Sequence, residues 1–353
     1  MGPGFQPFVR GGKHTLGVAQ GWYEFGPLAL NRSNNMSRPI RQNMNRSITH
    51  LLAFALLMLA FTGCKPNDTP AKIEVKAWSS FMLPTDGAVQ PTPRSLTTGP
   101  HDELVIMDTA GRILIYDAKG ALLRQWKMLD VQFGKPEGIV WLKDDRIVVC
   151  DTHYRRLVWF DQQGHVLHTV GGEKGTGPSQ FIYPVGLCKD PAENLYVCEY
   201  GGHDRVQVFT RDGVWLREFG SAGTGPGQFQ RPSGLVWHDG RVFVADAVNN
   251  RIHIFKDSGE YLGLLGAGAD GKSAIPFDLP YDITLGGDGA LYIIEYGAGR
   301  LSRVSLEGKL LARYGTTGTG EGEFATPWGL VTDSQMRVFV ADTKNRRIVT
   351  LQL

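Results

Sequence analysis

Five phenylalanines, Phe133, Phe181, Phe229, Phe277 and Phe324, recur at steps of 48, 48, 48 and 47 residues, and companion prolines at Pro136, Pro184, Pro232, Pro280 and Pro327 keep step with them. A fixed period of this length restricts the chain to a repeat architecture, in which each copy is one supersecondary unit burying its apolar faces against its neighbours. Residues 229–266 show what the unit contains. Four short apolar runs, SGLVW, RVFVAD, RIHIF and YLGLLG, are broken by His-Asp-Gly, Val-Asn-Asn and Lys-Asp-Ser-Gly. Strands of five or six residues joined by Gly- and Asn-bearing turns predict an antiparallel meander. Four-stranded meanders at this period predict a propeller, with the sheets set round an axis.

A further copy opens at Pro93, whose spacing to Asp108 equals that of Pro136 to Asp151, so there are six. The last copy stops after its third strand, RIVTLQL, while Ile73–Trp78 is a lone alternating strand ahead of the first. The two are expected to share one blade, which closes the ring and removes exposed edges. The expected fold is therefore all-β: a six-bladed β-propeller of four-stranded blades over residues 71–353, closed by an N-terminal strand. The 45 glycines fall mostly at turns, as such a fold requires.

Residues 1–43 have no sustained apolar period, and with Met36 and Met44 both available as starts they read as upstream sequence or a disordered extension. Residues 44–63 carry Arg46, an apolar run from Leu51 to Phe61 and then small residues. That run is too short to cross a hydrocarbon core of about 30 Å, and its layout is that of a signal peptide. Phe61-Thr62-Gly63-Cys64 resembles the bacterial lipoprotein box, with Phe61 replacing the usual Leu. The resemblance implies that Cys64 is acylated and becomes the mature N-terminus, followed by a polar tether over 64–70. Lys65 is not the Asp that holds many lipoproteins in the inner membrane. The expected location is the bacterial cell envelope, lipid-anchored at the outer membrane and facing the periplasm or the cell surface. Setting Cys64 aside leaves an odd three cysteines and no complete disulfide framework; Cys150 and Cys198 take the place of Ala245, Ile294 and Ala341 in other copies and read as small buried side chains.

The core of each copy, as in VADAVNNRIHIF and VADTKNRRIVTL, resembles the NHL repeat, an Asp followed by a short Asn-rich turn and Arg-Ile. The resemblance covers about residues 71–353 and implies a six-bladed propeller. It says little about function, since that fold hosts receptors, scaffolds, RNA binders and a few enzymes. Two copies depart from it, with Glu199-Tyr200-Gly201 and Glu295-Tyr296-Gly297.

An acid closing the second strand is followed five or six positions later by an arginine in Asp151/Arg156, Glu199/Arg205, Asp246/Arg251, Glu295/Arg300 and Asp342/Arg347. No reaction needs one carboxylate five times, so these are expected to be charge-assisted pairs that fix the turn. The residues that differ between copies carry more information. His153, Tyr154 and Arg155, Tyr200 and His203, Asn250, Tyr296, and Lys344 and Arg346 lie in turns between strands two and three, and the starts of the inner strands bring Arg94, Glu137, Tyr281 and Trp328 to the central mouth on the same face. Aromatic and arginine side chains on variable loops are the usual material of a binding surface.

Enzymatic signals are thinner. Gly266–Ser273, GAGADGKS, matches a phosphate-loop pattern, but Ala-Ile-Pro-Phe-Asp-Leu-Pro follows it where a helix is required. Peptidyl-amidating lyases and calcium lactonases use metals on related propellers. Here His203 has Asn250, Gly299 and Arg346 at its matching positions, so three converging imidazoles are not assembled. The reading is a binding or scaffolding module, a monomer without metal or cofactor, that recognises a protein, peptide or glycan in the cell envelope and meets the membrane through its lipid anchor. A metal-dependent lyase or lactonase is the alternative. Nucleic acid is not expected, given a net charge of +2 and an export signal.

Overall fold

The structure, a computed structural model, describes residues 70–353. The described residues are all-β apart from a 3-10 turn at Thr152–Tyr154. Blade one comprises Pro93–Thr98, Leu104–Asp108, Arg112–Tyr116 and Leu122–Lys127. Blades two to five repeat this inner-to-outer order, with inner strands Ile139–Trp141, Tyr183–Lys189, Pro232–His238 and Pro280–Leu285. Blade six consists of Gly329–Thr332, Arg337–Asp342, Arg347–Gln352 and, outermost, Ala77–Met82. Second strands such as Ile147–Asp151 are buried along their whole length, because both faces of each blade meet a neighbour; this is why they read as unbroken apolar runs. Each of the six blade interfaces holds its own apolar cluster: Val105, Ile115, Val149 and Phe160 between blades one and two, for example, and Ile106, Leu114, Phe339 and Ile348 between six and one.

Ring closure follows the expected plan with shifted boundaries. The closing strand is Ala77–Met82 rather than Ile73–Trp78, in antiparallel register from Ala77 opposite Gln352 to Met82 opposite Arg347. Ala71–Lys72 instead adds a short parallel strand to the outer edge of blade five, opposite Ala312 and Arg313, and Ile73 is buried beside it. The shift has a packing cause. Single-face alternation picks out 73–78, whereas the closing strand packs on both faces, with Trp78 against the cluster shared with blade five and Phe81 against that shared with blade one.

The acid–arginine pairs form at 2.6–2.9 Å in all five predicted blades, and Asp108 with Arg112 adds a sixth at 2.7 Å. Every one of these carboxylates is fully buried. In blades three to six the pair also fastens the connection from the previous blade. Arg251 donates to the carbonyls of Thr224, Gly225 and Gln228, while Asp246 accepts from Gln230 N at 2.6 Å. Arg347 and Asp342 treat 319–325 in the same way. Those connections bury Phe181, Phe229 and Phe324 completely. Phe133 departs from its counterparts and is 73% exposed. It falls 25 residues after Asp108, whereas Phe181 and Phe229 fall 30 after Asp151 and Glu199, so blade one is too short to form the loop that would cover it.

Candidate functional site

The residue after each repeating proline lies where an inner strand begins, and the six of them ring one mouth of the central channel: Arg94, Glu137, Val185, Ser233, Tyr281 and Trp328. One residue further along, the positions are Ser95, Gly138, Gly186, Gly234, Asp282 and Gly329. The glycines form a waist. A Cβ on Gly138 would stand 2.3 Å from the carbonyl oxygen of Val185 in the next blade, and one on Gly329 would stand 2.6 Å from that of Arg94. A side chain at these points would push two blades apart.

Asp282 is the exception, a carboxylate at a glycine position. Its Oδ1 accepts from its neighbour Ile283 N at 2.9 Å, and its Oδ2 accepts from Leu330 N of blade six at 3.0 Å. A Cβ on Gly234 would come within 2.5 Å of Oδ1, so the bare glycine of blade four makes the room that this carboxylate fills. No ion pair reaches Asp282 among the described residues, and burial pushes its carboxyl up to about 7. Beyond the waist the inner strands enclose a cavity of about 430 Å³, lined with Thr97, Cys188 and Thr284, which reaches Lys143 and Lys189 at its far end.

At the mouth, Arg94 donates to Glu137 Oε1 at 2.8 Å and Tyr281 OH donates to Glu137 Oε2 at 3.3 Å, all three being buried. The Arg94 guanidinium lies 4.2 Å from the centre of the Trp328 ring. Tyr281 meets Trp328 edge-on with centroids 5.2 Å apart, and Tyr296 lies 5.8 Å from Tyr281 and 6.3 Å from Trp328. A second guanidinium, Arg231, lies 4.1 Å over Tyr200, which stacks on Tyr183 at 5.2 Å; Tyr183 meets His153 at 5.7 Å. Two groups of rings therefore flank the mouth, one from blades two and three and one from blades five and six, with an arginine seated on each. These contacts are cation–π interactions between groups partly removed from water.

The electrostatics follow from burial. Burial pushes the Tyr200 hydroxyl up to about 12 and the Tyr281 hydroxyl well above its ordinary value, with Glu137 adding to both, so both stay protonated. Burial also lowers His153, which is neutral at pH 7. For Arg231 burial opposes the charge, but the Tyr281 and Tyr200 oxygens and Glu137 outweigh it, and its pKa is raised.

The other candidate positions lie apart from this cluster. Tyr154 OH accepts from Gln132 N and Phe133 N at 3.0 and 3.2 Å, with Arg156 5.1 Å over its ring, so it caps a connection on the rim. Asn250 is exposed and accepts from Leu279 N at 2.7 Å. Lys344 and Arg346 are exposed, and His203 and Arg155 are half-buried in their turns. Arg155, Asn250 and Arg346 close those turns at φ of 55–58°, the left-handed conformation that Gly111 and Gly299 supply in blades one and five. No group of three or more His, Cys, Asp or Glu side chains is placed to hold a metal among the described residues. Cys150 and Cys198 are buried free thiols and Cys188 is a half-buried one, while Cys64 lies outside the described residues. Sequence reasoning missed Arg231, Tyr183 and Asp282. Arg231 and Tyr183 stand just before a repeating proline, where the copies read Thr92, Lys135, Tyr183, Arg231, Leu279 and Thr326, and Asp282 breaks a column otherwise of Gly and Ser.

No family model matches the chain. It is 30% identical over 165 residues, 44% of its length, to NHL repeat-containing protein 3 of Homo sapiens, and 32% identical over 173 residues to the protein of that name from Mus musculus. It is 27% identical over 177 residues to the protein brain tumor of Drosophila melanogaster. The matches span 47%, 48% and 16% of those proteins, so the chain covers less than half of each. Among solved structures it resembles virginiamycin B lyase from Staphylococcus aureus, with a TM-score of 0.56, 17% identity and coverage of 78% of this chain and 99% of that one. A putative gluconolactonase gives 0.58 at 16% identity, covering 80% and 97%. At such identities the likeness is one of fold. With the repeat signature, the six blades and these relatives together, the chain is a six-bladed β-propeller whose repeats are similar to those of NHL repeat-containing proteins.

Proposed function

We propose that this protein is a recognition module that binds a protein, peptide or glycan partner on the face carrying the aromatic mouth. It is held at the bacterial outer membrane by a lipid on Cys64. One observation carries the reading: what repeats in every blade, the acid–arginine pair, serves the fold, whereas what differs between blades converges on one mouth as Tyr200, Tyr296, Trp328, Arg94 and Arg231. Half-buried aromatics and arginines on one surface are the residues that dominate binding energy at interfaces. The relatives are named for the same repeats, and the solved neighbours include a lyase and a putative lactonase; turnover by the purified propeller on lactones or amidated-peptide precursors would move the assignment to an enzyme.

The test compares capture of envelope components by the wild-type propeller with capture by Tyr200→Ala, Tyr296→Ala and Trp328→Ala. Each hot-spot ring is expected to cost about 2 kcal/mol of affinity, roughly thirtyfold, with little change in melting temperature. Tyr154→Ala, on the rim, serves as the control. Equal capture by all four variants and the wild type would overturn the assignment of the face.

A further inference from the structure

Arg112, Arg156, Arg205, Arg251, Arg300, Arg337 and Arg347 each have a carboxylate within 2.9 Å, whereas Arg124, Arg155, Arg217, Arg231, Arg241 and Arg346 have none within salt-bridge distance among the described residues. Of these six, Arg231 is the one seated on the rings of the mouth, half-buried over Tyr200, where it meets only hydroxyls, those of Tyr281 and Tyr200, and no paired charge. The nearest acid on its own backbone, Asp204, is occupied: its Oδ2 accepts from Arg231 N at 2.7 Å and its Oδ1 from Gly201 N and Gly202 N at 3.1 Å each. Glu137, the one carboxylate inside the mouth, is engaged by Arg94 and Tyr281. Three buried donors around this mouth, Arg94 Nε, Arg231 Nε and the Trp328 indole Nε1, have no acceptor among the described residues, and the same is true of single indoles such as those of Trp126 and Trp237 elsewhere in the propeller. Donors buried beside an opening can be satisfied by the acceptors of a ligand.

We propose that the mouth binds a carboxylate, with Arg231 as its pairing guanidinium and Tyr200, Tyr296 and Trp328 as the walls that hold the apolar body attached to it. The inference rests on the reading that this face recognises a partner, and it names the chemistry recognised. A cationic ligand is disfavoured, because the rings that would hold it already carry Arg94 and Arg231. A phosphate dianion would need more than one spare positive charge or a nest of backbone N–H groups. A carboxylate brings one charge and a planar pair of oxygens, which match the fork of a single guanidinium. A free acid and the C-terminus of a peptide present the same group.

The experiment titrates the propeller with N-acetylphenylalanine, with N-acetylphenylalaninamide, with inorganic phosphate, and with one tripeptide ending in phenylalanine as the acid and as the amide. Saturation-transfer NMR and calorimetry give the affinities. Both acids are expected to bind at least tenfold more tightly than their amides, and a further gain for the tripeptide acid identifies a peptide terminus as the source. Arg231→Gln is expected to abolish the preference for acid over amide while melting within a few degrees of the wild type, and Arg231→Lys to retain part of it. Acid and amide binding alike, phosphate matching the acids, an unchanged preference in Arg231→Gln, or no binding of any acid by folded wild type would each overturn the carboxylate assignment. If those results come with partner capture that still depends on Tyr200 and Trp328, the recognition face stands and only its chemistry is wrong.

Discussion

At the scale of single residues, Asp282 departs furthest from what its repeat asks for. Its side chain joins blade five to blade six through Leu330 N, in space left by Gly234, without a cation beside it. The folded protein keeps the Asp282 proton up to about pH 7, whereas the unfolded chain releases it near the ordinary value of 3.8. Between those values unfolding sheds a proton, so the stability that Asp282 contributes is full below about pH 4 and is lost as pH rises through 7. Asp282→Asn should flatten the dependence of stability on pH across that window by about 1.4 kcal/mol per pH unit, measured as urea midpoints from pH 4 to 8. Parallel curves for variant and wild type would show that the carboxyl does not titrate there. The repeated arginines make a complementary case. Arg251→Ala leaves the fully buried Asp246 with only His253, Asn249 and Gln230 N, and frees three loop carbonyls. A loss of about 3–5 kcal/mol is expected, the usual cost of removing one partner of a buried pair, and is read from denaturant unfolding.

At the scale of elements, period and turn chemistry made the blades legible, because both are local. Strand positions within a copy follow from apolar runs and from the Asp and Gly between them, and the pairing of Asp246 with Arg251 follows from their spacing. Closure was legible in plan but not in register. Nothing in Ile73–Trp78 alone says that Ala71–Lys72 will pair with blade five while Ala77–Met82 pairs with blade six; the two-sided packing of Trp78 and Phe81 decides it. The mouth was half legible for a related reason. Arg94, Glu137, Tyr281 and Trp328 share one column of the repeat and could be aligned, whereas Arg231 and Tyr183 sit one column earlier, outside both the strand starts and the turns from which the surface was read. Removing residues 77–82 should lower the melting temperature and favour association, since it strips six paired positions from the edge of blade six and exposes that strand. Removing 71–72 alone, two pairs at an already outer edge, should cost far less. Equal losses from the two deletions, compared by thermal unfolding and light scattering, would assign closure to the wrong strand.

At the scale of the whole molecule, the reading of Cys64 as an acylated N-terminus predicts that Cys64→Ser is released from the membrane or left unprocessed. Two or three acyl chains hold a protein far more firmly than one, at about 0.8 kcal/mol for each buried methylene. Incorporation of labelled palmitate into the wild type and not the variant is the expected outcome; equal labelling would remove the anchor from the account. The ring also imposes an order of events on synthesis. The strand that completes blade six lies ahead of every other blade, and its partner, Arg347–Gln352, follows all of them. Blades one to five can form as they leave the ribosome or the export channel, but Ala77–Met82 must wait, unpaired, until almost the entire propeller has been made. The last step of folding is thus a long-range closure of the kind that makes such topologies slow. Until it happens, the chain presents an open strand edge to any other nascent copy that could supply the missing strand in its place.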